Sequence, residues 1–211
     1  REYKLNLSGF QDILTNIIFF FISIFIFIFS IGPDEETISL IGVGILWTLL
    51  LLSSTLSLRK FYHDDFESGN LLIIHLSGFS CGFIAILKTF SHFLFVQLPF
   101  LLSIPIACIL LNITNDKIIY LFTSFLIGSF ILSCLGSISS SMNLMNQRNF
   151  LLGSVIVMIF SVPIIIFSVG IINMEENFNS LISILFGILL IVLAINPWAS
   201  GLCLKLALEN N

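Results

Sequence analysis

Between Arg59 and Glu67 the chain sets five formally charged side chains and a histidine within nine residues: Arg59-Lys60-Phe61-Tyr62-His63-Asp64-Asp65-Phe66-Glu67, followed by Ser68-Gly69-Asn70. Such a group could do acid–base work, bind a metal, or mate with a complementary protein surface. Metal or haem ligation would also draw on His63, His75 and His92, but no two of these form an i,i+4 pair. His63 reads as a solvated loop residue and His92 as a helix-packing or interfacial one. Phosphate chemistry needs G-x-x-x-x-G-K-[ST], whose backbone N–H groups cradle the anion. The nearest approach, from Gly82 to Lys88-Thr89, lacks the glycine before the lysine. H-E-x-x-H, G-x-S-x-G and paired intramembrane carboxylates are also absent. No catalytic, cofactor-binding or metal residue is therefore assigned, and no nucleic-acid partner. Docking of another protein is the chemistry left for the charged stretch.

The elements around it are lipid-soluble. Of 211 residues, 57% are apolar and only 9% charged, and mean hydropathy is +1.11; soluble domains carry about a quarter charged residues. A span needs about 20 apolar residues. Six such runs are read, about 13–31, 38–58, 89–111, 118–141, 150–172 and 180–203. This predicts an all-α polytopic protein with a single transmembrane domain over 1–211. Residues 1–12 are too polar to span; Leu7, Phe10 and Leu14 at helical spacing suit an interfacial N-terminal helix entering the first span. The four cysteines are scattered, with no C-x-x-C, and read as small hydrophobes. The first apolar run meets Gly32-Pro33-Asp34 rather than a small-residue cleavage site, which argues against a signal peptide.

Lysine and arginine choose the orientation. Arg1, Lys4, Arg59, Lys60, Lys88, Arg148 and Lys205 fall on the side shared by both termini, and Lys117 alone on the other. Positive charge marks the cytoplasm, so both termini and the charged stretch are predicted there. Residues 71–87 could tempt a seventh span. That would leave no loop before the next span and would invert the charge bias of every later loop. They are read as a cytoplasmic or interfacial helix, broken near Gly78 and Gly82, that completes a coupling segment over 59–87. Leu71, Ile74 and Gly78 continue a face begun by Phe61 and Phe66, while Asp64, Asp65 and Glu67 stay polar. The outer turns need only a few residues, so the extra mass between spans two and three suits a docking surface.

The spans as drawn contain no Asp, Glu, Lys or Arg. A transporter driven by its own ion gradient normally buries such groups, so energy must come from a partner. Small residues (Gly128, Ser133, Gly136, Ser137 and 139–141) line span four, where they permit close helix approach. Pro99, Pro105, Pro163 and Pro197 fall within spans and predict kinks.

Several motifs in order resemble the haem-exporter B (CcmB) family. They are Ser30-Ile31-Gly32-Pro33, Gly44-Ile45-Leu46-Trp47, Leu51-Leu52-Ser53-Ser54, and the run from Arg59 to Gly69, which resembles R-x-F-x-x-D-x-x-x-G with Asp64 as its acid and the glycine one residue further on. Lys88, His92, Leu98-Pro99, Pro163-Ile164-Ile165-Ile166-Phe167 and Asn196-Pro197-Trp198-Ala199 complete the set. The resemblance implies an ABC-2-type permease half with a cytoplasmic coupling helix between spans two and three. It implies a hetero-oligomer with an ABC ATPase subunit, which would hold the ATP, and with a haem-handling membrane protein; haem would be handled by the complex. The predicted ATPase-docking residues are Arg59, Phe61, Asp64, Asp65, Glu67 and Gly69. Lys88, His92 and Pro99 are candidate functional intramembrane or interfacial positions. The implied location is the bacterial inner membrane, or the mitochondrial inner membrane for an organelle-encoded chain. The competing readings are a lipid or polysaccharide exporter permease and a non-transporting membrane scaffold. After Gly69 the family commonly continues Leu-Glu-Gln and then a Pro-rich stretch, whereas this chain has Leu71-Leu72-Ile73 and Gly78.

Overall fold

The computed structural model describes residues 2–32, 34–57, 60–145, 151–173 and 178–209. Arg1, Pro33, Arg59 and Arg148, which enter the sequence reading, lie outside them. The described chain is helical: α1 (Glu2–Ile31), α2 (Glu35–Ser57), α3 (His63–Glu67), α4 (Asn70–Leu76), α5 (Cys81–His92), a π-turn (Phe93–Gln97), α6 (Leu98–Leu110), α7 (Asn115–Met145), α8 (Leu151–Asn173) and α9 (Phe178–Glu209). Among the described residues, six helical stretches are long and apolar enough to cross a membrane, with α5, the π-turn and α6 forming one of them.

Local chemistry sets the ends. Asp34 opens α2: its side chain accepts from the Thr37 N–H, its carbonyl from Ile38, and Glu35 and Glu36 occupy the first turn. Negative charge there complements the helix dipole. The Thr37 hydroxyl and N–H hold the exposed Asp34 carboxyl below its usual range. At the far end of α6, Asn112 adopts a left-handed conformation (φ 51°) and the Ile113 N–H returns to Cys108 O at 2.9 Å, closing the helix in the Schellman manner. Asn112 also donates to Glu35 at 3.3 Å, which links the two turns. A cleft of about 730 Å³ lies between them, with Glu36, Ser39, Thr114 and Lys117 among its lining residues.

The span count agrees with the sequence reading, but two boundaries differ. α1 runs unbroken from the polar N-terminal stretch into span one, over 30 residues; at 1.5 Å per residue it exceeds a hydrocarbon core of ~30 Å by about half. The third span begins at Cys81, not near Thr89. Ser80 sits in extended conformation and its hydroxyl accepts from the Phe83 N–H, a helix start that apolar periodicity overlooks. The break before it is at Gly78 alone (φ 98°), because Gly82 is inside α5.

Gly82 has another role. A Cβ on Gly201 of α9 would lie 2.9 Å from Gly82 N and 3.0 Å from its Cα, and a Cβ on Gly82 would lie 3.1 Å from Pro197 O. Two glycines therefore let α5 and α9 meet backbone to backbone. Span four shows the same device: a Cβ on Gly128 would collide with the Trp47 ring, which packs on Phe125 at 4.3 Å between centroids. α2 and α7 form the interior; α1, α8 and α9 leave much of their apolar surface outward.

Candidate functional site

Two left-handed glycines fold the segment after α2 back onto the bundle. Gly69 (φ 74°) separates α3 from α4, and Gly78 separates α4 from α5. His75 Nδ1 contacts the Phe79 carbonyl at 3.0 Å across the second turn. The helix expected over 71–87 and broken near Gly78 and Gly82 is thus α4 and the first turns of α5, parted at Gly78, while Gly69 sets the short α3 apart from α4; both turns fall on residues that tolerate positive φ. The face read through Phe61, Phe66, Leu71, Ile74 and Gly78 is buried at Phe61, Phe66 and Leu71 and ends there. Ile74 and Gly78 are exposed, because the chain turns at Gly69. Leu72, Ile73, Leu76 and Phe79 are exposed as well.

The predicted docking residues divide into two groups. Asp64 and Glu67 are exposed, with Glu67 3.1 Å from His63 Nε2. Phe61 and Asp65 point inward instead. Phe61 lies 4.7 Å from the His92 ring, centroid to centroid, and Asp65 is ion-paired with Lys88 on α5. Lys88 and His92, singled out in the sequence as separate positions, are therefore direct partners of the charged segment.

His92 stands between α2 and α7. Its Nε2 is 2.8 Å from Ser57 Oγ and its Nδ1 3.1 Å from Ser133 Oγ. Each serine also has a backbone alternative: Ser57 donates to Ser54 O at 2.7 Å, and Ser133 to Ser129 O at 3.1 Å. A neutral ring carries one N–H and one acceptor nitrogen. The shorter serine–carbonyl bond is the one to keep, so Nε2–H donates to Ser57 and Nδ1 accepts from Ser133. With both nitrogens engaged, His92 is a packing and hydrogen-bonding residue. Among the described residues, no three His, Cys, Asp or Glu side chains converge as a metal site.

A second chain of contacts was not legible in the sequence. Tyr62 is fully buried and its hydroxyl lies 2.7 Å from Ser137 Oγ on α7; Ser137 lies 3.1 Å from Ser200 Oγ on α9. Ser200 donates to Asn196 Oδ1 at 2.9 Å, and Asn196 Nδ2 donates to Thr89 Oγ1 on α5 at 2.9 Å. Thr89 donates to Ala85 O at 2.8 Å. Burial pushes the Tyr62 phenol above its ordinary range, with Ser137 opposing, so it stays protonated. The serines and Asn196 were visible in the sequence only as small-residue packing and as part of a motif. Nothing there signals that Tyr62 reaches them.

Pro99 explains the π-turn. It has no N–H to give and its ring crowds the carbonyl one turn back; the helix widens so that the Leu98 N–H reaches Phe93 O, five residues away. Gln97 is thereby turned fully inward, with neither amide atom partnered, and Trp47 Nε1, Ser53 Oγ and Ser168 Oγ are likewise buried without partners.

Six apolar spans, with a charged, folded-back arm clamped to the bundle between the second and third, define a polytopic membrane protein. The family is shown by comparison: residues 1–207 match the model of the CcmB protein family, and the chain belongs to it. It is 29% identical to "Heme exporter protein B" of Haemophilus influenzae, across 100% of this chain and 96% of that protein. The protein of the same name in Bradyrhizobium diazoefficiens is 29% identical, over 99% and 96%, and that of Paracoccus denitrificans 31%, over 86% and 84%.

Proposed function

We propose that this chain is the membrane-spanning permease subunit of an ATP-driven complex for haem export and cytochrome c maturation, and that it conveys the motion of a separate ATPase subunit into the membrane. Family membership supports the class. The observation that carries the mechanism is the division of the charged segment into outward and inward groups. Asp64 and Glu67 face out, while Phe61, Tyr62 and Asp65 fasten the same short segment to α5 and α7. A surface meant to receive force needs both halves. Gly69 supplies the bend that presents the carboxylates, and Phe61 acts from inside through its contact with His92. Arg59 belongs to the same segment in sequence.

In this reading the segment and both termini are cytoplasmic, as the lysine and arginine distribution requires, in the inner membrane of a bacterium. ATP binds the partner subunit, and haem is handled by the assembly together with a haem-handling membrane protein. Reversing Asp64 and Glu67 to lysine together tests the docking surface. Membrane insertion should be normal, while co-purification of the ATPase and the level of c-type cytochromes should both fall. Undiminished ATPase recovery from the double variant would sink the docking role.

A further inference from the structure

The hydroxyl string from Tyr62 has a fixed polarity, and the polarity assigns a job to its first member. Each hydroxyl has one proton. Thr89 commits its own to Ala85 O, so it can only accept from Asn196, and that orients the amide. The amide oxygen then receives the Ser200 proton, which obliges Ser137 to donate to Ser200 and Tyr62 to donate to Ser137. All five bonds run one way, from Tyr62 through α7 and α9 to α5, and bonds so aligned polarise one another. The string also closes on itself in space. Thr89 follows Lys88, whose ammonium holds Asp65, three residues along from Tyr62. The short segment that carries Asp64 and Glu67 is therefore tied to α5 directly, and to α7 and α9 through one phenolic proton.

The geometry points to the Tyr62 hydroxyl as the positioning group that makes the docking segment, α5, α7 and α9 move as one body when a partner shifts Asp64 and Glu67. This rests on the permease reading above. Tyr62 touches no partner itself; it acts through Ser137. As the terminal donor it can be lost without stranding another donor, so Tyr62→Phe leaves the buried ring in place and every other proton satisfied. Ser137→Ala differs, because it strands the Tyr62 O–H and leaves Ser200 with one bond fewer.

The test uses the full complex purified in lipid, with a thiol reporter, Leu202→Cys, on the exposed face of α9 in a Cys203→Ala background that removes the neighbouring half-buried thiol. Labelling of that thiol is timed with and without ATP. In the reporter background ATP should alter the labelling rate. With Tyr62→Phe added, the ATPase should co-purify at the same level, while the ATP-dependent change shrinks about fivefold, the weight of one buried hydrogen bond. Adding Tyr62→Phe to Ser137→Ala should produce no further loss, since both act in one chain. An unchanged ATP response in the Tyr62→Phe complex overturns the proposal, and so does loss of the response together with loss of the ATPase, which would make Tyr62 a docking residue. If no ATPase co-purifies even with the unaltered chain, the permease reading itself fails, and that outcome appears before any variant is made.

Discussion

Two polar layers cross the interior of this bundle, and they are built differently. At the level of the charged arm, Tyr62, Thr89, His92, Ser133, Ser137, Asn196 and Ser200 all have side-chain partners, and the Asp65–Lys88 pair joins them at the edge. Elsewhere in the interior, Trp47 Nε1, Ser53 Oγ and both amide atoms of Gln97 are just as deeply buried and have none, and Ser139 Oγ, beside the first set on α7, joins them. A buried polar group left unpaired costs about 1–3 kcal/mol, while a satisfied one contributes only about 1 kcal/mol. The first layer therefore fixes one arrangement of α5, α7, α9 and the arm. The second weakens whatever arrangement it sits in. Polarity inside a membrane protein is thus no single signal: its meaning depends on whether each proton finds an acceptor.

Substitutions can break or sharpen that contrast. The largest effect is expected where the first layer is seated, at the glycine contact of α5 and α9. Gly201→Val would drive side-chain carbon into the Gly82 backbone, which cannot swing aside, and should cost about 3 kcal/mol; thermal unfolding in detergent should show a sharply lowered midpoint. Next comes Asn196→Leu, which strands the Ser200 O–H and removes the Thr89 bond. Hydrogen bonds between membrane helices are modest, so a loss of about 1–2 kcal/mol is expected from the same measurement. Gln97→Leu should do the opposite and raise the midpoint, through a stabilisation of about 1 kcal/mol, because it removes an unpartnered amide while keeping most of the volume. A lowered midpoint would dissolve the distinction between the layers.

Smaller effects bracket the arm and the far turn. Lys88→Met leaves the half-exposed Asp65 without its cation and should cost about 1 kcal/mol or less; adding Asp65→Asn should recover most of it, and the two singles should not add. The least effect is expected at Asp34, which is fully solvated. Its carboxyl titrates below its unfolded counterpart, so its cap on α2 is complete above roughly pH 4 and is lost as pH falls through the folded value. Hydrogen exchange at Thr37 and Ile38 should quicken only in that acidic range, and at neutral pH in Asp34→Ala.

The fold was legible to different depths at different places. Span number follows from solvent choice alone, because long apolar runs have few other fates, and the decision against a seventh span agrees with α4 being only 7 residues long. The start of α5 was missed because Cys81 to Leu87 is apolar on all sides, so periodicity has nothing to mark. Ser80, three residues before the Phe83 N–H that it caps, was the available clue. Lys88 and His92 stood out by type, but their joining to Asp65 and Phe61 depends on the two glycine turns, and hydrophobic patterning does not encode angles. Tyr62 was the least visible: within a run of charges, a tyrosine reads as one more solvated residue until Ser137 is seen opposite it.

The wide turn at Phe93–Gln97 has a further consequence, one of phase. Along the third span the inward positions advance by three or four residues, as in Cys81, Ile84, Ala85, Thr89 and His92, and again from Gln97 through Phe100, Leu101 and Ile104. Only the step from His92 to Gln97 is five. An ordinary helix turns about 100° per residue, so five residues at that pitch would set the two stripes about 140° apart; the widened turn brings them onto one face. Pro99 thus acts as a register mark. Replacing Pro99 by leucine, so that the same five residues close into an ordinary turn, would leave both halves helical and swing Phe100, Ile104 and Cys108 out toward lipid, turning one straight-grained beam into two planks nailed at an angle.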